Sequence, residues 1–346
     1  MAKVHKTLQA TVLKVLSKEI CEGRYSPDCP MPSENDLCER FGISRPTVRL
    51  VLAELEHQGL IYRHHGKGTF VHVIPAVQVK PIAMLLREPG KLASTYIMDI
   101  IHGANSYLSG LGSHLIVVDT PPSKWSNRLV QSLGGVLVIP SRLNSSELEM
   151  IGDFKLPYLI VMESDLKGPT LKMDPAGAAR ELTEELIKWG HRRFGLISGH
   201  NEHSDRQKKR GITLALKKAG IAFSSMKDIP TNYDVQAGRN AAIELLTCEN
   251  RPTAIIAFDD CLAAQTISIA KEQGLRIPDD LSVVGFNDSP FSNFQDPPLT
   301  TVRFPAFEAG RKGAELIISA QKRNLPVPST TFDHEVIWRK SAGICR

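Results

Sequence analysis

The 346-residue chain is short of the features that mark a secreted, membrane-spanning or metal-stapled protein. Its six cysteines stand at positions 21, 29, 38, 248, 261 and 345, with no C-x-x-C spacing among them. That argues against a zinc ribbon and a disulfide framework, and reduced thiols in a cytoplasmic protein are the expectation. No apolar run approaches the length a bilayer requires, so no membrane association is expected. The opening residues, MAKVHKTLQATVLKVL, interleave charged and apolar side chains, and no signal peptide is read there. Charge of one sign is also scarce. The net charge is +5, and residues 1–72 hold ten Lys and Arg against eight Asp and Glu. Nucleic-acid binding therefore has to be argued from where the positive charges stand, not from their number.

Catalytic signatures are missing as well. No G-x-G-x-x-G follows a strand-like run, so a dinucleotide fold would lack its phosphate-binding turn. G-x-S-x-G is absent, and no triad or carboxylate pair can be placed. His200 and His203 with Glu202 match no zinc spacing and have no evident third ligand. The chain is read as a non-enzyme with no catalytic residues, no metal and no cofactor.

What is present begins at residues 31–72. Ser33 opens an [ST]-x-x-[DE] pattern with Asp36, which can cap a helix reciprocally. Leu37 and Phe41 give that helix an apolar stripe, and Gly42 ends it. Ser44 caps a second helix with Pro46 in its first turn, where a missing N–H costs little. Val48, Leu52 and Leu55 form its core stripe, and Gly59 stops it. Two short helices joined by a tight turn make a helix-turn-helix, whose second helix meets the major groove by its N-terminal residues. Arg45 and Arg49 are i, i+4 neighbours facing away from that stripe. Arg can grip guanine or phosphate, and Ser44 and Thr47 offer hydroxyls suited to phosphate. Two β-prone runs then flank His65-Gly66-Lys67-Gly68, a hairpin with a basic tip. The competing reading is a small α/β unit with a solvated charged face. A phosphate loop at Gly66-Lys67-Gly68-Thr69 is discarded, because it lacks the earlier glycine and the adjacent Lys-Ser/Thr.

Over this stretch, MPSENDLCERFGISRPTVR followed by LEHQGLIYRHHGKGTFV resembles the GntR-type winged helix-turn-helix. The resemblance implies DNA contact by Arg45, Thr47 and Arg49 from the recognition helix and by His65 and Gly66 from the wing. Ser33, Asn35, Ser44 and Lys67 complete the expected DNA-binding set. At Asn35 the family often carries Arg, so a contact there departs from its pattern.

Residues 6–22 fit an amphipathic helix packing on this unit, and 73–80 read as a short linker. From Pro81 onward apolar strand-like runs alternate with helices, the pattern of parallel sheets covered on both faces. The series restarts near residue 162. The expected architecture is α/β: a winged helix-turn-helix over 1–72 and a ligand-binding and dimerisation domain over 81–346. That domain divides into two doubly wound halves, about 81–161 with 290–323 and about 162–289 with 324–346. Ligands in such folds bind beyond the carboxyl ends of the strands. The strands deliver Arg87, Glu163, Ser198, Asp259 with Asp260, and Asn287 with Asp288 there, and a loop brings Asp205 and Arg206. Asp260 and Asp205 could instead cap helices, and Asn287 and Asp288 could instead shape a turn. The basic run Arg206, Lys208, Lys209 and Arg210 opposes a helix macrodipole and calls for a compensating partner, with Lys209 assigned to a solvated face.

The segments IKWGHRRFGLISG, RGITLALKKAGI, TAIIAFDDCLAAQTISIAKEQGLRIPDDLSVVGFNDSP and LTTVRFP resemble the LacI/GalR-type effector domain, related to periplasmic sugar-binding proteins. The resemblance implies effector contact by Asp259, Asn287, Lys208 and Tyr233, the last an aromatic that can stack on a sugar face. Arg206 or Arg210 could fill the Lys208 role if the register differs. With Arg87 and Glu163, these form the expected effector set. The whole would then be a homodimeric, ligand-responsive transcriptional regulator, read as a repressor, with operator double-stranded DNA and a sugar as partners. A sugar-binding transport or sensing protein without a DNA role is the alternative, and it leaves residues 31–72 unexplained.

Overall fold

The computed structural model describes residues 2–21, 23–64, 67–71, 79–87, 94–162, 164–199, 203–223, 226–231, 233–323 and 325–346, with residues 2–8 and 21 as backbone only. The chain falls into two compact units, Met1–Gln78 and Val79–Arg346.

In the first unit, α1 (Ala2–Cys21), α2 (Glu34–Phe41) and α3 (Arg45–His57) precede a hairpin of β1 (Ile61–His64) and β2 (Gly68–Val71). The caps are local chemistry. Ser33 and Asp36 close a full capping box, and Gly42 ends α2 at φ +62°, a conformation that favours glycine. Val48, Leu52 and Leu55 are buried, joined by Val51 and by Val12, Leu16 and Ile20 of α1. The hairpin pairs Ile61 with Val71 and His64 with Gly68. Buried Glu19 ties α1 to α2: it accepts from Arg40 Nη1 at 3.0 Å and from the Tyr25 hydroxyl at 2.7 Å. The Arg40 hydrogen bonds hold the Glu19 carboxyl below the usual range.

The second unit has two lobes. Lobe one contains β3 (Ile82–Leu85), α4 (Thr95–Ser109), β4 (Leu115–Val118), α5 (Asn127–Ser132), β5 (Gly135–Val138), α6 (Ser145–Asp153), β6 (Tyr158–Val161) and β7 (Thr170–Lys172). Lobe two follows with α7 (Pro175–Lys188), β8 (Phe194–Ser198), α8 (His203–Lys218), β9 (Lys227–Pro230), α9 (Val235–Thr247), β10 (Ala254–Ala257), α10 (Asp260–Glu272) and β11 (Ser282–Val284). The chain then runs through β12 (Thr301–Arg303), back to lobe one with α11 (Ala306–Arg323) and β13 (Thr330–Thr331), and out through β14 (Glu335–Ile337). The lobe-one sheet has the order β13-β7-β6-β5-β3-β4 and the lobe-two sheet β11-β10-β8-β9. All pairings within these two sheets are parallel. Strands β3, β5 and β10 are buried at every position, as continuous apolar runs covered on both faces must be.

The sheets correct the expected division of the halves. Thr170–Lys172 and Thr330–Thr331 pair with each other in the lobe-one sheet, although both fall in segments expected for the second half. The chain leaves lobe one near Asp174, not near 162, and returns to it until Phe332, whose N–H donates to the Lys172 carbonyl at 2.8 Å. Strands of three and two residues offer no apolar run to read; β7 pairs with β6, and β13 in turn pairs with β7.

Among the described residues, each lobe has a pair of helices in backbone-level contact. A Cβ on Gly103 of α4 would lie 1.9 Å from the Phe307 carbonyl oxygen of α11, and one on Gly310 2.0 Å from that of Ile100. In lobe two a Cβ on Gly211 of α8 would lie 2.0 Å from the Ala176 oxygen of α7.

Candidate functional site

The outward face of α3 carries the expected reading residues. Arg45, Pro46 and Arg49 are exposed, Thr47 is half-buried, and Leu50 projects beside them at 58% exposure. Ser44 stands at the N-cap position without a side-chain cap bond; its hydroxyl lies 2.9 Å from that of Thr47. Both arginines are held from α2. Arg45 donates from Nε to Asn35 Oδ1 at 2.8 Å, and Arg49 from Nε to Glu34 Oε2 at 2.9 Å. The first turn of α2 thus aims the guanidinium groups of α3. Ser33 is committed to the capping box, its hydroxyl donating to Asp36 Oδ2 at 2.8 Å. Lys67 is exposed beside the hairpin turn, its N–H on the His64 carbonyl at 2.9 Å. His65 and Gly66 lie outside the described residues.

In the second unit, lobe two gathers a polar cluster at the carboxyl ends of β8, β9 and β10. Lys208 of α8 is buried. Its ammonium donates to the Phe258 carbonyl at 2.8 Å and lies over the Phe286 and Phe258 rings at 4.7 and 5.1 Å. Those rings immediately precede Asp259 and Asn287, so one ammonium registers two strand ends. Asp259 caps α10 by accepting from the Leu262 N–H at 2.8 Å. Burial pushes its carboxyl up, against the pull of Leu262 and Lys208. Tyr233, at φ +56°, donates its hydroxyl to Asp205 Oδ1 at 2.5 Å. Asn287 sits at φ +97° and Met162, ending β6, at φ +82°. Non-glycine residues in this region cost energy and cluster where a site imposes its own geometry.

Three members of the basic run, Arg206, Lys208 and Lys209, find compensating partners. Arg206 pairs with Asp165, which also lies 2.9 Å from His203 Nδ1. Lys209 is not on a solvated face: its ammonium meets Asp228 at 2.7 Å, and Asp228 also accepts from the buried Ser198 hydroxyl. Lys208 alone of Arg206, Lys208 and Arg210 is buried; the other two are exposed. Asp165 follows β6 of lobe one and α8 belongs to lobe two, so these pairs bridge the lobes. So does the Thr95 to Ser289 hydroxyl contact at 3.0 Å. Arg87, just after β3, is ion-paired with Glu147 of α6. Glu163 lies outside the described residues, as do His200 and Glu202. Among the described residues no group of His, Cys, Asp and Glu is arranged to hold a metal, and no helix is long and apolar enough to cross a membrane.

Comparison with known proteins connects the two units. Residues 8–71 match the model of the bacterial regulatory proteins of the gntR family, and 183–342 that of the periplasmic binding protein-like domain. The arabinose metabolism transcriptional repressor of Geobacillus stearothermophilus is 30% identical over 324 residues, covering 86% of this chain and 87% of its own. That of Halalkalibacterium halodurans is 28% identical, covering 94% and 92%. The chain is a LacI/GalR-type transcriptional regulator with a GntR-type winged head. Solved structures agree on the fold. A LacI family regulator from Enterococcus faecium with bound ribose superposes with a TM-score of 0.70 at 20% identity, over 77% of this chain and 100% of that one. A CelR–cellobiose complex gives 0.68 at 21% identity, over 86% and 91%.

The sequence missed two partners in this regulator. Asn35 departs from the family pattern, yet it is what Arg45 leans on. Asp205 reads as a ligand-side residue or a helix cap, and its buried hydrogen bond from the Tyr233 hydroxyl is not foreseen. Neither is visible without the fold, since the first pairing spans ten residues and the second 28.

Proposed function

We propose that the regulator holds a sugar-like polyol at the carboxyl ends of the lobe-two strands, using Lys208, Tyr233, Asp259 and Asn287, and that this ligand changes its grip on operator DNA. Arg45, Thr47 and Arg49 read the operator from α3, with Ser44, Asn35 and Lys67 supporting phosphate contact, and the working form is a homodimer. The observation that carries the ligand reading is Lys208. A buried ammonium is expensive, and this one is kept by a carbonyl and two aromatic rings beside Asp259 and Asn287. Paired acids, amides and an ammonium suit a ligand with several hydroxyls, each a donor and an acceptor. The names of the relatives support the same class: arabinose metabolism for two repressors, ribose and cellobiose for two bound structures.

The test is a titration of labelled operator by fluorescence anisotropy, with and without L-arabinose, D-ribose and cellobiose. One of these sugars is expected to shift operator affinity by about 5- to 150-fold, the usual span of coupling between two sites. Identical operator affinity under all three sinks the reading.

A further inference from the structure

Asp205 is buried to 1% exposure in the first turn of α8. Its Oδ1 accepts from the Tyr233 hydroxyl at 2.5 Å. Its Oδ2 is equally buried and has no hydrogen-bond partner among the described residues. Stripping water from a carboxylate oxygen without replacing it is costly, and folded proteins rarely leave one so. The surroundings preserve the arrangement. A Cβ on Gly199, which follows β8, would come within 2.4 Å of both Asp205 Oδ2 and the Tyr233 ring, so any larger residue would displace the pair. Tyr233 keeps its hydroxyl on the carboxylate from a backbone conformation at φ +56° that tyrosine seldom adopts. The place is the polar cluster itself: Lys208 lies three residues along the same helix, and the field of Asp205 reaches Asp259.

We infer that Asp205 is a specificity-determining ligand contact, its Oδ2 accepting a hydrogen bond from a hydroxyl of the polyol. This rests on the proposed ligand reading of the lobe-two cluster. Asp205 adds an acid to the set at a position where an acceptor is already desolvated and fixed in place. Tyr233 then acts as a positioning residue through its hydroxyl. A buried acceptor built to take a ligand hydroxyl rejects the analogue lacking it, because the acceptor is left unpaired.

The experiment uses the full chain and isothermal titration calorimetry with L-arabinose, D-ribose and cellobiose. It compares the wild type with Asp205→Asn, Asp205→Ser, Tyr233→Phe and Asp259→Ala, and records the Tm of each unliganded protein. Asp205→Asn and Asp205→Ser are expected to weaken the responding sugar by about tenfold or more. Unliganded Tm should stay equal or rise, since a strained acceptor has been removed from the empty site. Tyr233→Phe should weaken the sugar less and lower the unliganded Tm, because it leaves Asp205 Oδ1 unpaired as well. Wild-type affinity in both Asp205 variants, with loss in Asp259→Ala, overturns the Asp205 assignment and leaves the ligand reading standing; an oxygen served only by solvent gives that result. A marked fall in unliganded Tm in both Asp205 variants also overturns it, because that is the mark of a structural carboxylate. No heat from any sugar with the wild type overturns the ligand reading and this inference together.

Discussion

Asp260 and its neighbour Asp259 show how adjacent identical residues are given different work. Asp260 is fully buried, accepting from the Ser289 N–H and the Thr301 hydroxyl, each at 2.5 Å. Burial pushes its carboxyl up to about 6, despite those bonds. A raised folded-state value means that the native protein binds the proton more tightly than the unfolded chain. Asp260 therefore contributes stability at low pH that is lost as pH rises from about 4 through about 6. A shift of about two pH units corresponds to about 3 kcal/mol. Asp260→Asn should flatten the dependence of unfolding free energy on pH across that window; an unchanged slope in urea melts refutes the assignment. What was legible in the sequence at this scale was local chemistry. Ser33, Gly42, Ser44 and Pro46 announce α2 and α3 because caps and breakers act within a few residues. The roles of Asn35, Asp205 and Asp260 were not, because each depends on a partner brought close only by the fold.

At the scale of elements, the long amphipathic helices and fully apolar strands of both lobes are readable, since burial on both faces forces runs such as AIIA and GVLV. β7, β9 and β13 are not. They are short edge or near-edge strands, and β9 (Lys227–Pro230) carries charge and ends in proline, a residue tolerated only where no ladder bond is needed. The glycine crossings were equally hidden, although they set how closely the paired helices approach. Gly211 lets α8 lie against α7, and the same helix presents Asp205 and Lys208 to the cluster. A methyl group there must push against the Ala176 carbonyl, so Gly211→Ala forces the two helices apart. The expected cost is about 3 kcal/mol, at the upper end of ordinary overpacking. Guanidinium melts should show it as an earlier transition for residues 79–346, and sugar affinity should fall because Lys208 moves with the helix. A variant with wild-type stability and affinity would show that α7 yields freely.

At the scale of the whole regulator, the question is how a ligand in one unit reaches an operator read by the other. A ligand shifts an equilibrium only by its differential affinity for the two states. The contacts that bridge the lobes are where that equilibrium can be biased. Asp165 of lobe one meets His203 and Arg206 of lobe two, and those two partners hold its carboxyl below the usual range. Asp165 is largely exposed, and pairs of that kind are worth about 0.2–1 kcal/mol. Removing both should therefore lower the closed fraction by about thirtyfold at most, the equivalent of about 2 kcal/mol. Apparent ligand affinity scales with that fraction, while a saturating ligand restores the closed state whatever its starting population. Asp165→Ala should thus raise the sugar concentration needed for half the operator response, by about thirtyfold or less, and leave operator affinity at saturating sugar unchanged. The difference should shrink as salt is raised, because an exposed pair is screened. A half-response concentration equal to that of the wild type at low salt would place the lobe-closing energy elsewhere, in the Thr95–Ser289 contact and the ligand itself.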